Sequence, residues 1–113
     1  LVRSRANQVH FPDWVSGACL LVRRADAEAV GFFDKRFFMF GEDVDFCAAI
    51  RSRQRRILFT PVTEVQHVRG QSVATAPEAT ALAYRRSQLA FYDKHHPSWV
   101  PALRAYLRFR RRI

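Results

Sequence analysis

Trp14-Val15-Ser16-Gly17-Ala18-Cys19-Leu20-Leu21-Val22 is a nearly continuous apolar run, interrupted only by small residues. Its length and lack of a polar face suit a strand buried on both sides better than a helix. Residues 1–12 before it are polar and irregular, and Pro12 ends them. After it the spacing predicts a short helix over residues 25–30. Gly31 follows as its C-terminal cap, where a positive φ is cheap. A second helix is expected from Glu42 to about Arg53. Its acids Glu42, Asp43 and Asp45 at the start, and Arg51 and Arg53 at the end, complement the helix dipole. Arg56–Thr60 (RILFT), stopped by Pro61, and Thr63–Val68 (TEVQHV) read as short strands. Glu78–His95 reads as a longer helix with Leu82, Leu89 and Tyr92 among its apolar positions, and Pro101–Arg112 as a last, very basic one. This alternation implies an α/β fold, a short mixed sheet with flanking helices.

Of the 113 residues, 49% are hydrophobic and 13% aromatic, too apolar for a disordered tail. The chain starts at Leu1 rather than Met, which suggests a piece of a longer protein. The net charge of +9 is unevenly spread. Residues 1–50 carry six Lys/Arg and seven Asp/Glu, whereas residues 51–113 carry thirteen and three. The excess in the second half attracts polyanions such as anionic lipid heads, diphosphates or nucleic acid. Cys19 and Cys47 form no C-x-x-C pair and lie in apolar surroundings, so both are read as buried thiols of a reducing compartment. No apolar run approaches the roughly 18 residues of a membrane span, and no signal peptide is visible.

Three constellations stand out. Phe38-Met39-Phe40-Gly41-Glu42-Asp43-Val44-Asp45 places three carboxylates within four residues, after a glycine and an aromatic-rich loop. Asp43 shares a helical face with Cys47 and Ile50, which should point inward. A carboxylate there is either paired or functional, because burying it alone is expensive. It could take a proton from an attacking hydroxyl. Equally, acids at a helix start interact well with the dipole and need no further role. His67 lies in the alternating stretch Glu64–Val68, either as a hydrogen-bonded structural residue or as one ligand of a metal. His95 and His96, before Pro97, read as solvent-facing or helix-capping. Trp14 could offer a flat platform to a sugar ring, with Ser16, Gly17 and Ala18 allowing close approach to the backbone; alternatively Trp14 and Gly17 serve packing.

In this order the pieces resemble family 2 glycosyltransferases of the GT-A fold, particularly rhamnosyltransferase-like members. The matching text is WVSGACLLVRR (14–24), AVGFFDKRFFMFGEDVDFC (29–47), RILFTPVTEVQHVRGQS (56–72) and YRRSQLAFYDKHHP (84–97). The resemblance implies the C-terminal, acceptor-side part of the GT-A (Rossmann-like) domain over residues 1–97, with residues 98–113 as a basic helical tail. It implies Asp43 as general base and Glu42 as the neighbour that orients the acceptor or tunes it, with Asp45 supporting. Trp14, Gly17, Ala18 and Asp45 would line the acceptor/donor cleft. His67, 24 residues after Asp43, would complete the coordination of Mg²⁺ or Mn²⁺. Arg69 and Ser72 would close over the donor diphosphate. The implied reaction is a single in-line, inverting displacement from a nucleotide-diphosphate sugar to a hydroxyl of a glycan or lipid-linked acceptor, in cell-envelope polysaccharide synthesis.

The chain departs from the family in lacking the N-terminal half that carries the nucleotide-binding units and the D-x-D metal motif. Asp43-Val44-Asp45 has that spacing but lies in the acceptor motif, and Gln71 is not followed by Arg-Trp as in processive members. The chain alone is therefore expected to be inactive, with an uncovered sheet edge that favours self-association into a homo-oligomer. The expected location is cytoplasmic, peripheral to the inner face of the plasma membrane. The rival reading is a basic membrane-surface or polyanion-binding module without catalysis, built on Arg104, Arg108, Arg110, Arg111 and Arg112 with Tyr106, Leu107 and Phe109 between them. No nucleic-acid-binding motif is present, so no nucleic-acid partner is expected.

Overall fold

The computed structural model describes residues 6–37, 40–68 and 77–111. Its elements are α1 (Arg24–Ala29), α2 (Glu42–Ser52), α3 (Pro77–His95), a 3₁₀ turn (Pro97–Trp99) and α4 (Val100–Arg111). All four helices expected from the sequence are present, with ends shifted by a residue or so.

Local chemistry accounts for the helix ends. α1 closes in a Schellman arrangement: the Phe32 N–H reaches the Ala27 carbonyl and the Gly31 N–H the Glu28 carbonyl. Gly31 has φ +78°, as its role as cap requires. α2 starts from Gly41, also at φ +78°, whose carbonyl accepts the Asp45 N–H at 2.8 Å. A Cβ at position 41 would stand 3.4 Å from the Phe37 ring and 3.6 Å from Ser87, ordinary contacts, so it is the backbone angle that favours glycine here.

The core is small and centres on α2. Phe46, Cys47 and Ile50 bury its inner face against Ala27 of α1 and Ile57, with Val15, Leu20 and Val30 packed at the margin. The Phe33 ring stacks at a tilt on Phe46, 4.9 Å between centroids. Polar ties hold the periphery: Arg51 Nε donates to the Asp13 carbonyl at 2.9 Å, and Arg55 Nε to Asp26 at 3.1 Å. α3 packs on α2, then turns back through the 3₁₀ segment so that α4 lies against it.

The expected sheet is not formed. Among the described residues there is no strand, only a single antiparallel bridge between His10 and Phe59, with both N–H···O bonds made. The described structure is mostly helical rather than the α/β arrangement expected. The run at 14–22 and the segments at 56–60 and 63–68 are extended or turning chain. The reason is that a strand needs a neighbour to take its backbone groups, and its apolar pattern alone supplies none. Leu21 is consequently 98% exposed, and Trp14 and Val22 are partly so. The uncovered sheet edge behind the expectation of self-association is likewise absent among the described residues. Cys19 corrects a further expectation: only Cys47 is buried, and Cys19 is exposed, because the run around it is covered on one side at most. Burial raises the Cys47 thiol above its ordinary pKa.

Candidate functional site

The acidic start of α2 is held from two directions. Positions 43 and 45 lie about 200° apart around a helix, so their carboxylates leave on opposite sides. Asp43, half-buried, faces the small-residue segment: its Oδ2 accepts the Gly17 N–H at 3.0 Å, and its Oδ1 the Val44 N–H at 2.8 Å. Two backbone donors thus fix the carboxylate while Gly17 and Ala18 beside it stay exposed. A Cβ at position 17 would stand 3.5 Å from the Asp43 Cβ, an ordinary contact. The glycine therefore leaves the carboxylate uncovered without being sterically obligatory. The Ala18 N–H turns onto Ser16 Oγ at 3.2 Å, which shapes this loop. Glu42 is half-buried, and its Oε2 is buried with no hydrogen-bond partner among the described residues. Such an acceptor calls for a donor.

Asp45 is 1% exposed. Its Oδ1 lies 2.7 Å from His95 Nε2 and 3.0 Å from Lys94 Nζ, both in the last turn of α3. Lys94 Nζ also reaches Asp34 Oδ2 at 3.2 Å. Asp34 in turn holds Arg36 through the backbone N–H at 3.0 Å and through the guanidinium, and Arg36 extends to Asp93 at 3.5 Å. The Arg36 backbone N–H, with the Arg36 and Lys94 side chains, lowers the Asp34 carboxyl to about 2. The Asp34 carboxylate raises the Arg36 guanidinium further. This network clamps the start of α2 to the end of α3.

The structure brings Gly17 and Asp43 together, with Glu42 alongside. Trp14 is half-exposed upstream of them. His67 is exposed, and among the described residues no group of three His, Cys, Asp or Glu side chains is gathered to hold a metal. Arg69 and Ser72 lie outside the described residues, as do Phe38, Met39 and Arg112. His95 corrects the reading of it as solvent-facing or capping: its ring is 17% exposed and bonded to a buried carboxylate. Sequence reasoning also missed Lys94 and Asp34. The available signal was Asp45 itself. Beside Phe46 and Cys47 it demanded a cation, but nothing in the sequence says which of nineteen comes within reach.

No helix among the described residues is long and apolar enough to cross a membrane. The chain matches no family model and no solved structure. It is 38% identical over 96 residues to the N-acetylglucosaminyl-diphospho-decaprenol L-rhamnosyltransferase of two strains of Mycobacterium tuberculosis, covering 84% of this chain and 31% of that protein. It is 34% identical over 55 residues to rhamnosyltransferase WbbL of Escherichia coli, covering 49% of this chain and 21% of that one. The chain thus spans about a third or less of the length of these curated relatives. The chain's homologues are therefore rhamnosyltransferases, consistent with a rhamnosyltransferase-like sequence of the family 2 glycosyltransferases.

Proposed function

We propose that this chain is the acceptor-side portion of an inverting glycosyltransferase that moves a sugar from a nucleotide-diphosphate donor to a hydroxyl of a lipid-linked or glycan acceptor in cell-envelope synthesis. The observation that carries this reading is the Gly17 N–H···Asp43 Oδ2 contact, which joins two of the stretches that carry the family resemblance. The relatives' names point to a rhamnosyl donor and a polyprenyl-diphosphate acceptor as the substrates to try first.

In this reading the acceptor oxygen attacks the anomeric carbon from the face opposite the diphosphate. The new C–O bond forms as the bond to the diphosphate breaks, the leaving group taking the electron pair. The hydroxyl proton passes to an Asp43 oxygen, which the Gly17 and Val44 amides hold in place. Glu42, whose Oε2 has no hydrogen-bond partner among the described residues, is the neighbour that orients the acceptor or tunes Asp43. Asp45 supports the site by anchoring α2. Trp14 and Ala18 flank the cleft. Mg²⁺ or Mn²⁺ belongs to the proposal for the complete enzyme. The described residues do not assemble a donor set around His67, and no step is derived through a metal. Arg69 and Ser72 are proposed on the donor side, and the chain by itself is proposed to be inactive.

Asp43→Asn in the full-length enzyme tests the reading. Transfer should fall roughly 100- to 10,000-fold, the range expected for a lost general base, while nucleotide-sugar binding by calorimetry stays unchanged. Transfer at a near-normal rate would remove Asp43 from the chemistry.

A further inference from the structure

The mechanism above leaves the end of the chain unused, and there charge and apolar surface coincide. No Asp or Glu follows Asp93, whereas Arg104, Arg108, Arg110, Arg111 and Arg112 all do. α4 places Val100, Leu103 and Leu107 on one face, each partly covered, as expected of the side packed on α3. Its other faces are in the open. Trp99 in the preceding turn is 63% exposed, Tyr106 52% and Phe109 63%. Arg104, Arg108 and Arg110 are exposed as well. At about 100° per residue, Tyr106 and Phe109 lie within about 60° of each other. Arg104 and Arg108 then flank them on one side and Arg110 on the other. Trp99 and Tyr106 also line an open apolar cleft with Tyr92, Ala102 and Leu103.

We infer that α4 and its preceding turn are a peripheral membrane-docking element, which lies flat on an anionic lipid surface with Trp99, Tyr106 and Phe109 entering the headgroup boundary and the arginines at the phosphates. This inference does not rest on the transferase reading. Three features select a lipid surface over other occupants. The charge is of one sign along the whole element, complementary to an anionic leaflet. The exposed apolar groups are chiefly aromatic, and rings with an apolar body settle at the interface. The helix is too short and too charged to insert across a bilayer, but suits a surface position. A second copy of this chain would meet the arginines with like charge, and a nucleic acid would leave the aromatic strip without a general role.

The test is flotation of the full chain with vesicles of phosphatidylcholine alone, or of phosphatidylcholine with 30% phosphatidylglycerol by composition, at about 0.1 M salt. The expected result is binding to the anionic vesicles only. It should weaken roughly a hundredfold in a variant carrying Arg104→Glu, Arg108→Glu and Arg110→Glu, since each cation near the surface contributes severalfold. Tyr106→Ser with Phe109→Ser should weaken it at least tenfold with all arginines kept. Circular dichroism of both variants should match the wild type, because every substituted side chain is exposed. Equal partition into neutral and anionic vesicles would overturn the inference. So would binding that ignores the aromatic pair, which is simple polyanion attraction, or dimerisation abolished by Phe109→Ser without vesicle binding. Should the arginine variant misfold, screening decides: binding to anionic vesicles that persists at 1 M salt contradicts the docking geometry.

Discussion

On its Asp43 side, α2 meets a loop of exposed small residues through one backbone amide across the gap, and the carboxylate stays open. On its Asp45 side it meets the end of α3 through a lysine, a histidine and, beyond them, Asp34 and Arg36, with Asp45 itself shielded from solvent. Two acids of one motif thus have opposite environments. The difference teaches that a cluster of like residues is not a unit of function. One member can be kept available because another is committed to holding the backbone still.

The largest test of this contrast is Asp45→Ala. It leaves His95 and Lys94, the latter still paired with Asp34, without their buried acceptor, and loss of a charge-assisted hydrogen-bond partner costs about 1.5–3 kcal/mol. Urea denaturation should show a loss of that order; a change under about 1 kcal/mol would mean that the clamp does not hold α2. Gly41→Ala should come next. A Cβ at φ +78° is strained, so about 1–2 kcal/mol of stability should be lost. Thermal melting checks it, and an unchanged melting temperature would count against a fixed left-handed start to α2. Asp43→Asn should be milder in stability, by about 1 kcal/mol or less, because the amide keeps an oxygen for the Gly17 N–H. Destabilisation as large as that of Asp45→Ala would erase the contrast between the two sides.

The smallest effect is in acid. Asp34 is lowered to about 2, chiefly by the Arg36 backbone N–H and then by the Arg36 and Lys94 side chains. Because its folded value lies below its ordinary 3.8, its stabilising contribution is complete above about pH 4 and fades as pH falls towards 2. Melting temperatures between pH 5 and 2 should show this decline, and Asp34→Asn should flatten part of it. An identical pH profile in that variant would mean that other carboxylates dominate.

The helices were legible in the sequence because helix signals are local. The acids and arginines at the two ends of α2 and the glycine after α1 state their positions within a few residues of themselves. The apolar run at 14–22 was misleading because strands are not local. The pattern names a surface fit for pairing but brings no partner, and Leu21 stands in solvent. The site divides along the same line. Gly17 and Asp43 were each expected at the cleft, but the hydrogen bond between them was not. The bonds from Asp45 to His95 and Lys94 bridge about fifty residues and depend on how α3 crosses α2, which no spacing along the chain encodes.

The exposed thiol of Cys19 turns the uncovered run into something that can be clocked. Cys47, buried and raised in pKa, is slow to alkylate, whereas Cys19 sits in the middle of the run and in the open. The rate at which a maleimide modifies Cys19 therefore measures how much of the time residues 14–22 lack a cover. Any protein segment that supplies the missing neighbour should register as protection of that one sulfur.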